Sequence, residues 1–243
     1  MSRLRIPTLT NPNIVIRMAE SQEEVDAANR LVFRNYVELG YWENSEDVIR
    51  KNRYLWLPTR DVFVVADGAK IIGTISIITD SADGIPADNF QPAAVRRLRE
   101  TCDKLAEISA FAFAKDHPHQ HTLLHFLMAF IAQYSFHYAG IDRLIAVCTP
   151  KHARFYELCY GFKRTEAAGM YDYVKVDAQL LTLDLCEIYE TAPPYGDPHS
   201  RGEFFDFLYF RRHPNLRFPV PRRRPVPVQI PAGRPAYQLP VAV

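Results

Sequence analysis

One carboxylate stands where carboxylates are rare. Residues 105–113 read LAEISAFAF, an apolar run with strand character, and Glu107 lies inside it. A carboxylate held in a strand can take a proton from a nucleophile such as an amine, whose own pKa in peptides is about 8. On a period of two, Leu105, Glu107, Ser109, Phe111 and Phe113 share one face. Ala106, Ile108, Ala110 and Ala112 share the other, a small apolar face suited to lie under a helix. Lys151 and Arg154 open a helix after a later strand, a position from which cations can hold a phosphate. Four histidines, His117, His119, His121 and His125, crowd one stretch, and the last two are four residues apart. Only Asp116 offers a further ligand nearby, so no metal centre is expected.

These groups need a scaffold. Asn13–Met18 reads as a first strand, and Ser21 with Glu24 reads as the start of a helix that runs to about Leu39 and stops at Gly40. DVFVVA (61–66), Asp67-Gly68 and KIIGTISIIT (70–79) form a strand, turn and strand. A short helix over 93–102 precedes the Glu107 strand. Residues 122–138 are apolar nearly all round and predict a buried helix. LIAVC (144–148) is continuously apolar, as a buried parallel strand should be. A helix over 150–160 follows, ended by Gly161, with late strands over 171–176 and 180–185. The fold class is therefore α/β: a mixed sheet with an antiparallel N-terminal half, a central parallel βαβ unit, and flanking helices.

The chain has 243 residues, 48% of them hydrophobic and 23% charged, which suits one large domain and excludes a fibrous or wholly disordered chain. No run of about 18 apolar residues is present to span a membrane. The first residues lack the apolar core of a secretory signal, and the four cysteines show no CxxC pair, so a cytoplasmic location with reduced thiols is expected. The formal charge of +1 hides an asymmetry: residues 211–243 carry seven arginines, eight prolines and no acid. The expected organisation is an N-terminal extension (1–12), one domain (13–210) and a basic, disordered Pro/Arg-rich tail (211–243).

Three segments carry a family resemblance: LVFRNYVELGYW (31–42), GTISIITDSADGIPADNF with LRETCDKLAEISAFAF (73–113), and CTPKHARFYELCYGF (148–162). In order and spacing they resemble the long-chain N-acyl amino acid synthases. That family is a branch of the GNAT acyltransferase superfamily related to the acyl-homoserine-lactone synthases. The resemblance spans roughly residues 14–190. It implies a GNAT-like fold and transfer of an acyl group from a phosphopantetheine thioester, typically on acyl carrier protein, to the amine of an amino acid. Acyl carrier protein and an amino acid are thus the implied partners, with no tightly bound cofactor.

The resemblance also assigns roles. Glu107 becomes the base and Tyr156 the acid that protonates the departing thiolate. Ser109, Phe111 and Phe113 line the substrate, and the Phe111–Phe113 stretch supplies a backbone N–H to the thioester oxygen. Arg34, with Trp42 near it, helps form the acceptor or acyl site, where a guanidinium suits a carboxylate. Lys151 and Arg154 take the phosphopantetheine phosphate. GNAT enzymes that use coenzyme A cradle its pyrophosphate in a glycine-containing loop at a helix N-terminus. Here that loop, residues 115–121, is KDHPHQH and has no glycine, which favours acyl carrier protein over acyl coenzyme A. The basic tail suits an acidic protein or an anionic membrane surface; nucleic acid is not expected. Two other readings remain open at this point: a lactone synthase, and a non-catalytic module that binds acyl carrier protein.

Overall fold

The computed structural model describes residues 6–45, 47–115, 117–191 and 202–219. The strands are β1 (Ile14–Met18), β2 (Arg60–Asp67), β3 (Lys70–Thr79), β4 (Leu105–Phe113), β5 (Arg143–Cys148), β6 (Lys163–Arg164), β7 (Gly169–Tyr171), β8 (Val176–Asp184) and β9 (Leu216–Arg217). The helices are α1 (Gln22–Glu38), α2 (Asp47–Lys51), α3 (Pro92–Arg99), α4 (Gln120–Gln133), α5 (Pro150–Tyr160), α6 (Leu185–Thr191) and α7 (Gly202–Tyr209). Eight strands line up as β6-β8-β5-β4-β3-β2-β1-β9, and β7 pairs with β8. β1 to β4 run antiparallel, β4 and β5 are parallel, and β8 returns antiparallel to β5. This is the mixed sheet that the hydrophobic pattern predicts.

Helices cover both faces. The Ser21 side chain accepts a hydrogen bond from the Glu24 amide and starts α1. Ala28 and Val32 then press α1 onto β2 and β4. On the other face, α4, α5 and α7 bury Phe126, Phe130, Tyr160 and Phe207 against Phe63, Ile75, Ala106 and Ile108. α4 ends in a π-turn over Tyr134–Tyr138, so the predicted helix over 122–138 is real but changes its winding. Gly161 caps α5 at φ 78°, a conformation that favours glycine.

The decisive departure from the sequence pattern is in β4. Thr74 faces Ala112 but Ser76 faces Ser109, so Ala110 and Phe111 together oppose Ile75 alone. Ala110 absorbs the extra residue at φ 51°, a left-handed conformation that costs a non-glycine residue about 1–2 kcal/mol. The bulge exchanges the faces of the strand. Before it, Ala106 and Ile108 point to α4; after it, Phe111 and Phe113 do, while Ala110 and Ala112 pack under α1. Glu107 therefore does not share a face with Phe111 and Phe113, contrary to the period-two reading. Close to the bulge, Gly73 lies under the Phe113 ring, and a Cβ there would fall 2.5 Å from two ring carbons. Gly73→Ala should destabilise the protein by about 1–3 kcal/mol, read by urea unfolding.

Two boundaries also shift. The late strands start and end earlier, at Gly169–Tyr171 and Val176–Asp184. The segment expected to be tail from residue 211 begins inside the fold. Leu216–Arg217 pairs in parallel with Ile16–Arg17, and the Asn215 side chain donates to the carbonyls of Asn11 and Ile14. Leu9, in the expected N-terminal extension, is buried in the core. Residues 220–243, the rest of the expected tail, lie outside the described residues. No helix among the described residues is long and apolar enough to cross a membrane.

Candidate active site

β4 and β5 pair only over Leu105–Ile108 and Arg143–Ala146. Beyond that point β4 stays with β3 through its bulge, while β5 continues with β8 to Cys148. The two parallel strands thus part at the middle of the sheet, and Glu107 lies at the point of parting.

Glu107 is the last-but-one paired residue of β4 and is only 3% exposed. Its Oε2 accepts a 2.7 Å hydrogen bond from the Ala87 amide. Burial pushes this carboxyl up to about 8, and the neighbouring Asp88 charge adds to the rise; the Ala87 bond opposes it. The turn that presents Ala87 is braced. Arg99 of α3 clamps both Asp80 and Asp88 with hydrogen bonds of 2.7–2.8 Å, and Asp88 also accepts from the Ile85 amide. Tyr171 donates to the Pro86 carbonyl at 3.0 Å, and both Tyr171 and Tyr173 lie within the field of Glu107.

Tyr36 of α1 connects the two candidate groups. Its hydroxyl feels Glu107, Tyr41 and Arg60, and burial pushes it up to about 12. The Phe111 amide, at the bulge, faces the same phenol and favours its ionised form. Tyr156, on α5, is held in a nest of rings formed by Phe155, Tyr160 and Phe162. Burial drives its phenol well above the ordinary range, and Cys148 and Tyr36 push the same way. Tyr36 is therefore within electrostatic reach of both Glu107 and Tyr156.

Other predicted residues divide. Trp42 is buried, with its ring 4.8 Å from Tyr36 and 6.4 Å from Tyr173. Ser109 is half-buried opposite Ser76, just before the bulge. Phe111 and Phe113 meet edge to face at 5.2 Å on the α4 side. Arg34 lies exposed on the outer face of α1, away from the buried Ala28 and Val32 and the half-buried Tyr36. The structure does not bring it to Glu107. Lys151 and Arg154 are exposed near the N-terminal end of α5, just past Cys148. His125 Nδ1 meets the Tyr160 hydroxyl at 3.0 Å, and burial lowers its pKa.

Several residues at the site escaped sequence reasoning: Tyr36, Arg60, Asn29 and the Ala87 amide. A signal for Tyr36 was present. Ala28, Val32 and Tyr36 recur every four residues and mark the inner face of α1, which excludes Arg34 from it.

A sequence-family model described as "FeeM: N-acyl amino acid synthase FeeM" matches residues 27–184. The solved structure of FeeM, an N-acyl amino acid synthase from uncultured soil microbes, is 30% identical with a TM-score of 0.64, and the match covers 73% of this chain and 93% of that one. The chain belongs to the FeeM family of N-acyl amino acid synthases. Two more distant structures share the fold. The acyl-homoserine-lactone synthase LasI has 16% identity and a TM-score of 0.55, with 71% and 90% of the two chains covered. A mosquito arylalkylamine N-acetyltransferase-like protein has 15% identity and a TM-score of 0.54, with 70% and 99% covered. No curated protein compared by sequence matches the chain. Family and fold together make the protein an N-acyltransferase of the GNAT type, with the parted β4 and β5 at its centre.

Proposed function

We propose that this enzyme moves a long-chain acyl group from the phosphopantetheine thioester of an acyl carrier protein to the α-amine of an amino acid. The observation that carries this reading is the Glu107 carboxyl, buried at the parting of β4 and β5 with its pKa raised to about 8. An ordinary carboxylate is too weak a base for an amine with a pKa near 8. Burial brings Glu107 level with that amine, so proton transfer between them is nearly balanced.

The steps then balance. The neutral amine nitrogen attacks the thioester carbon, and the carbonyl oxygen gains negative charge beside the Phe111 amide. Glu107 takes the proton from the new ammonium. The carbon–sulfur bond breaks, and the thiolate receives the Tyr156 proton. Tyr36, which feels both groups, returns the proton from Glu107 to Tyr156. The donor reading rests on the approach to α4. The turn over 117–119 contains Pro118 and two histidines, and α4 begins without a side-chain cap. Such a turn suits a single phosphate on a carrier protein better than the pyrophosphate of coenzyme A. Lys151 and Arg154 are the exposed cations available for that phosphate.

The purified protein should convert palmitoyl-acyl carrier protein and a mixture of amino acids into an N-acyl amino acid, detected by mass spectrometry. Palmitoyl-coenzyme A should serve at least tenfold less well. No acylated amine from any acceptor would overturn the proposal, and a lactone product would move the enzyme to the homoserine-lactone chemistry.

A further inference from the structure

The sheet holds a second buried ionisable group, and the proposed acyl transfer does not use it. Arg60 opens β2 and is 9% exposed. Its Nε donates to Ser76 Oγ at 3.0 Å, Nη1 to the Leu55 carbonyl at 2.7 Å, and Nη2 to Asn29 Oδ1 at 3.0 Å. All three acceptors are neutral, and no carboxylate among the described residues pairs with it. A guanidinium has five N–H groups, so each terminal nitrogen keeps one more to give. Burial pulls its pKa down to about 10, which leaves it charged at neutral pH. A buried cation without an anion is costly, and a bound anion would offset that cost.

The surroundings offer more donors than acceptors. Asn29 spends its oxygen on Arg60, and its Nδ2 is buried with no partner among the described residues. Trp42 Nε1 is also buried and unpartnered among them. Tyr36, whose ring meets Trp42 at a tilt, feels both the Arg60 charge and Glu107. Arg60 pairs across to Ile78, and Ile78 pairs across to Glu107, so the base and the cation stand on one face of the sheet. Two strand spacings, about 10 Å, separate their backbones. A fork of N–H groups beside further N–H donors fits a carboxylate.

We infer that Arg60, with Asn29 beside it, binds the α-carboxylate of the acceptor and so restricts the enzyme to α-amino acids over simple amines. The inference rests on the proposed acyl transfer. It assigns to Arg60 the task that the sequence suggested for Arg34. With its carboxylate on Arg60, the acceptor lies across the Tyr36 hydroxyl and turns its amine toward Glu107.

The test compares an amino acid acceptor with its primary amide, which keeps the amine and side chain but loses the charge. With palmitoyl-acyl carrier protein as donor, the wild-type enzyme should favour the acid by on the order of 100-fold in kcat/KM. Arg60→Gln should lose about that factor on the acid, mainly through KM, and far less on the amide. Asn29→Asp places a carboxylate on Arg60 within the protein. It should raise KM for the acid by at least about tenfold while the melting temperature holds or rises, which keeps the inference testable if Arg60→Gln fails to fold. Equal use of acid and amide by the wild type, or equal losses on both in the variants, overturns the carboxylate site and leaves acyl transfer standing. No product from either acceptor overturns both.

Discussion

Glu107→Gln should lower kcat/KM for acyl transfer by on the order of 100-fold or more and at the same time make the protein more stable at alkaline pH. Both effects come from one carboxyl. Glutamine keeps the shape and still accepts the Ala87 hydrogen bond, but it takes no proton from the amine. The stability effect follows from the raised pKa of about 8 against an ordinary 4.5. Below pH 4.5 both folded and unfolded chains carry a neutral carboxyl. Between 4.5 and about 8 only the unfolded chain is ionised, so the wild type loses stability by up to about 1.4 kcal/mol per pH unit. Above about 8 both forms are ionised and the slope vanishes. Urea unfolding of both proteins at pH 5 and pH 8 reads the difference, which should grow with pH in favour of the variant. The wild-type rate should climb through about pH 8 as the base ionises, and the variant should lack that step. An equal rate in the variant removes Glu107 from the chemistry; a difference in stability that does not depend on pH removes its buried, neutral state.

Tyr156→Phe should lower kcat by about 10- to 100-fold with little change in KM for the amino acid. The hydroxyl is buried within electrostatic reach of Cys148, at the end of β5, and of Tyr36. The rings of Phe155, Tyr160 and Phe162 fix the phenyl group, so removing one oxygen leaves the packing intact. An alkyl thiolate, with a conjugate acid near about 8.5, leaves more easily when a phenol meets it. An aryl thioester, whose thiolate leaves unaided, should therefore restore most of the variant's rate. Equal defects with both thioesters would show that the residue packs the site and donates no proton. Glu107→Gln should be insensitive to this change of leaving group, which separates the two roles.

The sheet was largely legible because its strands are long and apolar, and the helices because Ser21, Gly40 and Gly161 mark their ends. Glu107 was legible as well: an acid in an apolar strand stands out whatever its neighbours are. Two features were hidden for a physical reason. Ala110 carries the bulge without a glycine, so period-two counting ran through it and placed Phe111 and Phe113 on the wrong face. Arg60 looks like a surface cation at the start of a strand, and only tertiary packing under α1 buries it. Arg34 drew attention through a motif, although the Ala28, Val32 and Tyr36 spacing already turned it to solvent. The composition of residues 211–243 suggested a tail, but composition averages over a segment and missed the short strand with its buried Leu216.

The pairing of β9 with β1 has a consequence for synthesis. Ile16 lies beside Leu216, two hundred positions later in the chain. During translation the outer rim of the first strand stays bare until residues 216–217 leave the ribosome. Naked rims of this kind invite pairing with other chains. A growing or prematurely stopped chain is therefore exposed to clumping in a way the finished one is not.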